Sequence, residues 1–175
     1  MGKLVLYIAA SLDGFIAGDG ESLAWLDAVE GQGDNGYGSF YEGVDTLVMG
    51  RKTYDWIVRH GSWPYPGKPC VVFSRTPRKN GEDVTFTAEN AGQAVGRMKA
   101  EGEKRIWLVG GGELLHILLK AELVDEIILT VAPVVLGRGV PLFRGAEGNL
   151  RLVEIQRFGQ FAQLHYFVEG REEAP

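Results

Sequence analysis

The 175-residue sequence predicts an α/β protein of three layers, a mixed and mainly parallel sheet with helices on both faces and an antiparallel edge at its C-terminus. Three observations predict it. Apolar runs of strand length alternate with helical stretches up to about residue 121; several of those runs end in Gly or hydroxyl turns; and the last two strand-like segments follow each other across a single glycine.

Leu4 to Ala10 is a nearly continuous apolar run, as in a strand covered on both faces, and Ser11-Leu12-Asp13-Gly14 and Gly18-Asp19-Gly20 supply turn chemistry after it. Ser22 is placed to cap a short helix carrying Leu23, Trp25 and Leu26. The glycine-rich stretch Gly31 to Gly38 interrupts the pattern before a second short helix around Phe40 and Tyr41. Asp45 to Gly50 reads as a strand, and Arg51-Lys52-Thr53-Tyr54 opens a helix that ends near His60-Gly61.

Trp63 to Gly67 forms a rigid aromatic loop, and Pro69 to Ser74 is a further buried strand. A short strand near Val84 to Thr87 precedes a helix over Ala91 to Glu101. Arg105 to Val109 is a strand running into Gly110-Gly111-Gly112, followed by a helix over Glu113 to Ala121. Val124 to Val131 is a strand, and Leu150 to Arg157 with Phe161 to Val168 closes the sheet as an antiparallel pair around Gly159. The whole chain, 1–175, reads as one domain with a core over 3–168 and a frayed tail over 170–175.

A net charge of −5 and an isoelectric point near 5.3 offer no broad basic face for a nucleic-acid backbone. A small phosphorylated ligand needs only a few placed donors. Cys70 is the single cysteine, so no internal disulfide forms and a reducing compartment such as the cytoplasm is expected. The N-terminal apolar stretch ends after Ala10, too short to span a membrane and poor as a signal peptide.

Gly110-Gly111-Gly112 lets backbone approach a ligand closely, and the helix after it aims free N–H groups and its positive dipole end at a pyrophosphate. A tight turn with no ligand explains the same residues equally well. This is not the G-x-G-x-x-G fingerprint, because Leu115 occupies the last glycine position. Gly50-Arg51-Lys52-Thr53 adds a helix start with a guanidinium and a hydroxyl, and Ser74-Arg75 a second guanidinium at a strand exit. Each alone is also an ordinary solvated turn, but together they favour a ribose 2′-phosphate and hence NADPH over NADH.

Ala10 to Ala17, Val48 to Tyr54, Val72 to Arg75, Val109 to Leu115 and Pro133 to Phe143 occur in one order that resembles the C-terminal reductase domain of bifunctional riboflavin-biosynthesis deaminase-reductases. The resemblance covers roughly Lys3 to Val168 and implies a dihydrofolate-reductase-like fold. It implies that Gly50 to Thr53 hold the pyrophosphate and 2′-phosphate side, Ser74 and Arg75 the adenosine end, and Gly110, Gly111, Gly112, Glu113, Leu114 and Leu115 the pyrophosphate and nicotinamide side. Ala10, Ile16 and Gly18 would border the nicotinamide, and the family's homodimer would form through the C-terminal half.

Two departures qualify it. Dihydrofolate reductases carry an acid immediately before a Leu-Ala-Trp segment, whereas Ser22 precedes Leu23-Ala24-Trp25 here and the carboxylate is displaced to Glu21. The zinc signature of the deaminase half is absent, and no metal is expected. The expected chemistry is hydride transfer from NADPH to a carbon of a C=O or C=N group. Asp13 is the candidate for placing a proton, with an Asx turn at Gly14 as its structural alternative. Trp25, Tyr41, Tyr54, Trp63 and Phe143 are candidate walls for a planar substrate, Trp25 and Trp63 foremost. The resemblance implies an aminouracil ribotide of the riboflavin pathway as substrate, whereas the residues themselves leave any small heterocycle or carbonyl or imine compound open. A pterin or dihydrofolate reductase and a non-catalytic NADPH sensor are the alternatives, and nothing in the sequence favours a flavin.

Overall fold

A computed structural model describes residues 1–170, so the tail expected over 170–175 lies, apart from Gly170, outside the described residues. The apolar run at the N-terminus forms β1 (Lys3–Ser11), whose alternate side chains enter two separate cores. Leu4, Leu6 and Ala10 join Val48, Ile106, Leu108 and Ile127 beneath α4 (Ala91–Ala100) and α5 (Gly112–Lys120). Val5 joins Leu47, Met49, Val72 and Trp107 on the opposite face, beneath α2 (Tyr37–Glu42) and α3 (Arg51–His60). A strand buried on both faces therefore dictates the three layers.

The eight-stranded sheet runs β5 (Val84–Thr87), β4 (Cys70–Phe73), β3 (Thr46–Gly50), β6 (Arg105–Gly110), β1, β7 (Glu126–Ala132), β10 (Phe161–Glu169), β9 (Asn149–Phe158). Pairing is parallel from β5 to β7, and the β9–β10 hairpin adds the antiparallel edge through β10 against β7. No helix among the described residues is long and apolar enough to cross a membrane.

Three local features differ from the sequence expectations. α1 is a single turn (Ala24–Asp27) with Leu23 at its N-cap position; Ser22 Oγ accepts only from the Ala24 N–H, at 3.3 Å, so it makes a local turn and caps nothing. The strand expected from Val124 starts at Glu126, because Val124 is buried against the α4/α5 side and the Asp125 carboxylate accepts from the Leu4 N–H at 2.7 Å. A two-stranded ribbon of β2 (Phe15–Ala17) and β8 (Val140–Pro141) has no sequence signature, being two or three residues long in each strand.

Cys70 is 1 % exposed, and burial pushes its thiol up to about 12. Ellman's reagent at mildly alkaline pH is therefore expected to label the native protein no faster than it unfolds, and to find one thiol per chain in denaturant. Rapid stoichiometric labelling of the folded protein would contradict this packing.

Candidate functional site

The carboxyl ends of β1, β6, β3, β4 and β5 open into one cleft of about 910 Å³. Neighbouring strands lie about 4.8 Å apart, so this row of strand ends spans about 19 Å, the reach of an extended dinucleotide. β6 is inserted between β1 and β3, although it follows both in sequence, so strand order reverses under the cleft. Such a switch point is where open α/β sheets bind ligands.

Two long helices begin on adjacent strand ends there. α3 starts after Gly50 and α5 after Gly111, and neither N-terminus has a side-chain cap. A Cβ on Gly111 would lie 3.8 Å from the Gly50 nitrogen, so two sets of first-turn N–H groups stand side by side without internal partners. Gly111 sits at φ 108°, a conformation other residues rarely adopt, and a Cβ on Gly112 would meet the Pro141 carbonyl oxygen at 2.7 Å. The turn therefore requires glycine at both positions.

The cleft brings together Ile16, Gly50, Arg51, Lys52, Thr53, Ser74, Arg75, Gly110, Gly111, Gly112, Glu113 and Leu114. Ala10 and Leu115 lie instead in the core beneath it, each 1 % exposed. Gly18 stands at the edge, its N–H donating to the Ser22 carbonyl at 2.9 Å. Arg51 donates to Asp55 at 3.0 Å, and Arg78 grips the same carboxylate at 2.6 and 3.2 Å. Ser74 is buried and its hydroxyl donates to the Thr76 carbonyl, which shapes the exit of β4.

None of the expected wall aromatics lines the cleft. Tyr41 stacks on Tyr37 in the α2 core, Trp63 packs between Tyr54 and Tyr65, and Phe143 is 43 % exposed elsewhere. Trp25 is half-buried beside Gly18 and spends its Nε1–H on the Ser22 carbonyl. The aromatic lining comes from Trp56, Tyr65 and Phe73, with Leu23, Leu26 and Ile57 completing the apolar end. Trp56 was legible: with Thr53 and Ile57 it occupies i, i+3 and i+4 on one helix face. Its Nε1–H donates to the Glu21 carbonyl at 3.0 Å, tying the loop after β2 to α3.

Asp13 stands outside the cleft lining and clamps two loops. Its carboxylate accepts from Ser11 Oγ at 2.7 Å and from the N–H groups of Leu136 and Gly137 at 3.1 and 2.7 Å. The Ser11 hydroxyl, followed by those backbone donors, holds its pKa down to about 2.

Comparison with known proteins finds the RibD C-terminal domain matched over residues 2–164. The chain is 48 % identical to the uncharacterized protein YwjB of Bacillus subtilis (strain 168), over 94 % of this chain and 97 % of that protein. A crystal structure from Shewanella sp. PV-4, of a protein provisionally assigned to riboflavin biosynthesis, superimposes with a TM-score of 0.86 at 30 % identity, covering 96 % of this chain and 99 % of that one. A pyrimidine reductase-like protein from Corynebacterium diphtheriae shares the fold, with a TM-score of 0.71 at 16 % identity, covering 97 % and 92 %.

The folded pKa of Asp13 lies below its ordinary 3.8, so the clamp's contribution is complete above about pH 4 and is lost as pH falls towards about 2. Amide exchange at Leu136 and Gly137 is expected to accelerate over that window, relative to the intrinsic rate, and to be already fast in Asp13→Ala at neutral pH. Unchanged protection in the variant would remove the clamp.

Proposed function

The chain belongs to the RibD C-terminal domain family, and from that premise we propose that it is a cytoplasmic, NADPH-dependent reductase of a small heterocycle, an aminouracil ribotide in the first instance. The observation that carries the reading is the pair of uncapped helix N-termini meeting at Gly50 and Gly111, a ready cradle for a pyrophosphate. Arg51 and Arg75 supply guanidinium forks for a 2′-phosphate towards the adenosine end, where Ser74 and Thr87 to Ala91 form the wall. When bound, reduced nicotinamide supplies the hydride.

The protein's part is orientation and exclusion of water. Ile8, Ala9, Ile16, Ala17 and Val140 make the end over β1 apolar, and Leu23, Leu26, Trp56 and Tyr65 form a surface on which a flat ring stacks. Asp13 is a positioning residue in this reading: a carboxyl held at about 2 is ionised at neutral pH, so the proton that completes the reduction has another source. A pterin is the second substrate class, favoured by Glu21, which reaches the cleft wall although Arg59 holds one of its oxygens at 3.3 Å.

The protein is further proposed to be a homodimer through its antiparallel edge. Leu150, Leu152 and Ile155 of β9 pair with Val168, Tyr166 and Leu164 of β10, so all six share one face. Ile155 is nevertheless 63 % exposed, and among the described residues β9 has no neighbour on its outer side. A long apolar edge of this kind invites pairing with a second copy.

Parallel titrations with NADPH and NADH, read by tryptophan quenching and nicotinamide emission, are expected to show NADPH binding at least about tenfold tighter, in line with one added charge-assisted contact. Turnover with an aminouracil ribotide or a pterin then names the substrate. NADPH binding with no turnover of any tested heterocycle would instead fit a sensor, and binding of neither dinucleotide would overturn the reading. Sedimentation is expected to give a dimer for the wild type and a monomer for Leu152→Glu/Ile155→Glu; a monomeric wild type would remove the dimer.

A further inference from the structure

Resting on the reading of the cleft as a dinucleotide site, we propose that Arg144 holds the pyrophosphate and thereby fastens the β2–β8 ribbon over the nicotinamide end. Arg144 belongs to none of the sequence motifs, yet it lines the cleft. Its Nε lies 3.0 Å from the point that a Cβ on Gly112 would occupy, beside the uncapped start of α5.

Its lack of a partner is the second observation. Among the described residues, the other arginine side chains pair with a carboxylate or, for Arg157, donate to the Gly159 carbonyl, with Arg75 the one further exception. Both unneutralised guanidinium groups line the same cleft of a chain whose net charge is −5. They stand over different strands. Arg75 leaves β4, while the turn beside Arg144 leaves β6, two strand spacings or about 10 Å away, so each addresses its own phosphate.

The ribbon connects this anion contact to the reacting end. Pro141 and Val140 of β8 pair with Phe15 and Ala17 of β2, and the Leu142 N–H donates to the Gly14 carbonyl at 2.9 Å. Arg144 follows two residues later. A phosphate gripped by Arg144 therefore holds down the ribbon whose residues Ile16, Ala17 and Val140 wall the nicotinamide end.

The test titrates the full chain and its Arg144→Gln, Arg144→Lys and Arg75→Gln variants with NADPH and NADH. Arg144→Gln is expected to weaken both dinucleotides by about tenfold and leave their ratio intact, because both carry the pyrophosphate. Arg144→Lys is expected to recover part of the loss, retaining charge without the fork. Arg75→Gln is expected to shrink the NADPH-to-NADH ratio. Since Arg144 is exposed, melting temperatures are expected to match the wild type; should the Gln variant fold poorly, Arg144→Ala makes the same comparison.

Unchanged affinity for both dinucleotides in a folded, charge-removing Arg144 variant would overturn the assignment. So would loss confined to NADPH, which would put Arg144 on the 2′-phosphate. A wild type that binds neither dinucleotide overturns this assignment together with the reading it rests on.

Discussion

The insertion of β6 between β1 and β3 brings the exits of two parallel strands, Gly50 and Gly110, to within one sheet spacing of each other. Each exit leads directly into a helix whose first N–H groups lack internal partners, and neither helix is capped by a side chain. Had β3 paired with β1 directly, the Gly50 and Gly110 exits would not have been neighbours. The cleft and the positions of Arg51 and Arg144 along it depend on that crossover.

The same crossover is held in place by burial on both sides. β1 and β6 are almost wholly buried along their middle residues, Leu4 to Leu6 and Ile106 to Leu108, so neither can leave the sheet without exposing two cores. The β2–β8 ribbon is anchored on that base: Ile16 and Leu142 pack against the α4/α5-side core, the Pro141 carbonyl abuts Gly112 at the start of α5, and Phe15 N–H donates to Ser11 Oγ.

Charge follows a similar division. The protein is acidic, and most of its arginines are spent in ion pairs such as Arg97 with Glu89 or Arg59 with Glu21. Exposed pairs of this kind contribute little to stability. Their consequence here is selective: among the described residues, they leave Lys52, Arg75 and Arg144 without an ion-pair partner where the cleft opens, while the carboxylates of Glu21 and Glu89 in the same lining are held by Arg59 and Arg97.

The sequence by itself determined the order of strands and helices apart from the β2–β8 ribbon, the glycine turns after β3 and β6 and the antiparallel close of the sheet, because each is written in local backbone rules: alternation, apolar runs and the φ that Gly111 must adopt. Gly50 to Thr53, Ser74, Arg75 and Gly110 to Leu114 were legible as a group for the same reason, all lying at strand exits. Only the tertiary structure decided which strand exits become neighbours, and with that the exclusion of Tyr41, Trp63 and Phe143 from the cleft in favour of Trp56 and Tyr65. It also decided the place of Asp13, whose partner Gly137 is 124 residues away. A carboxylate followed by glycine looks the same in sequence whether it faces a substrate or a distant loop; the contact that distinguishes them exists only once the sheet has brought the two loops together.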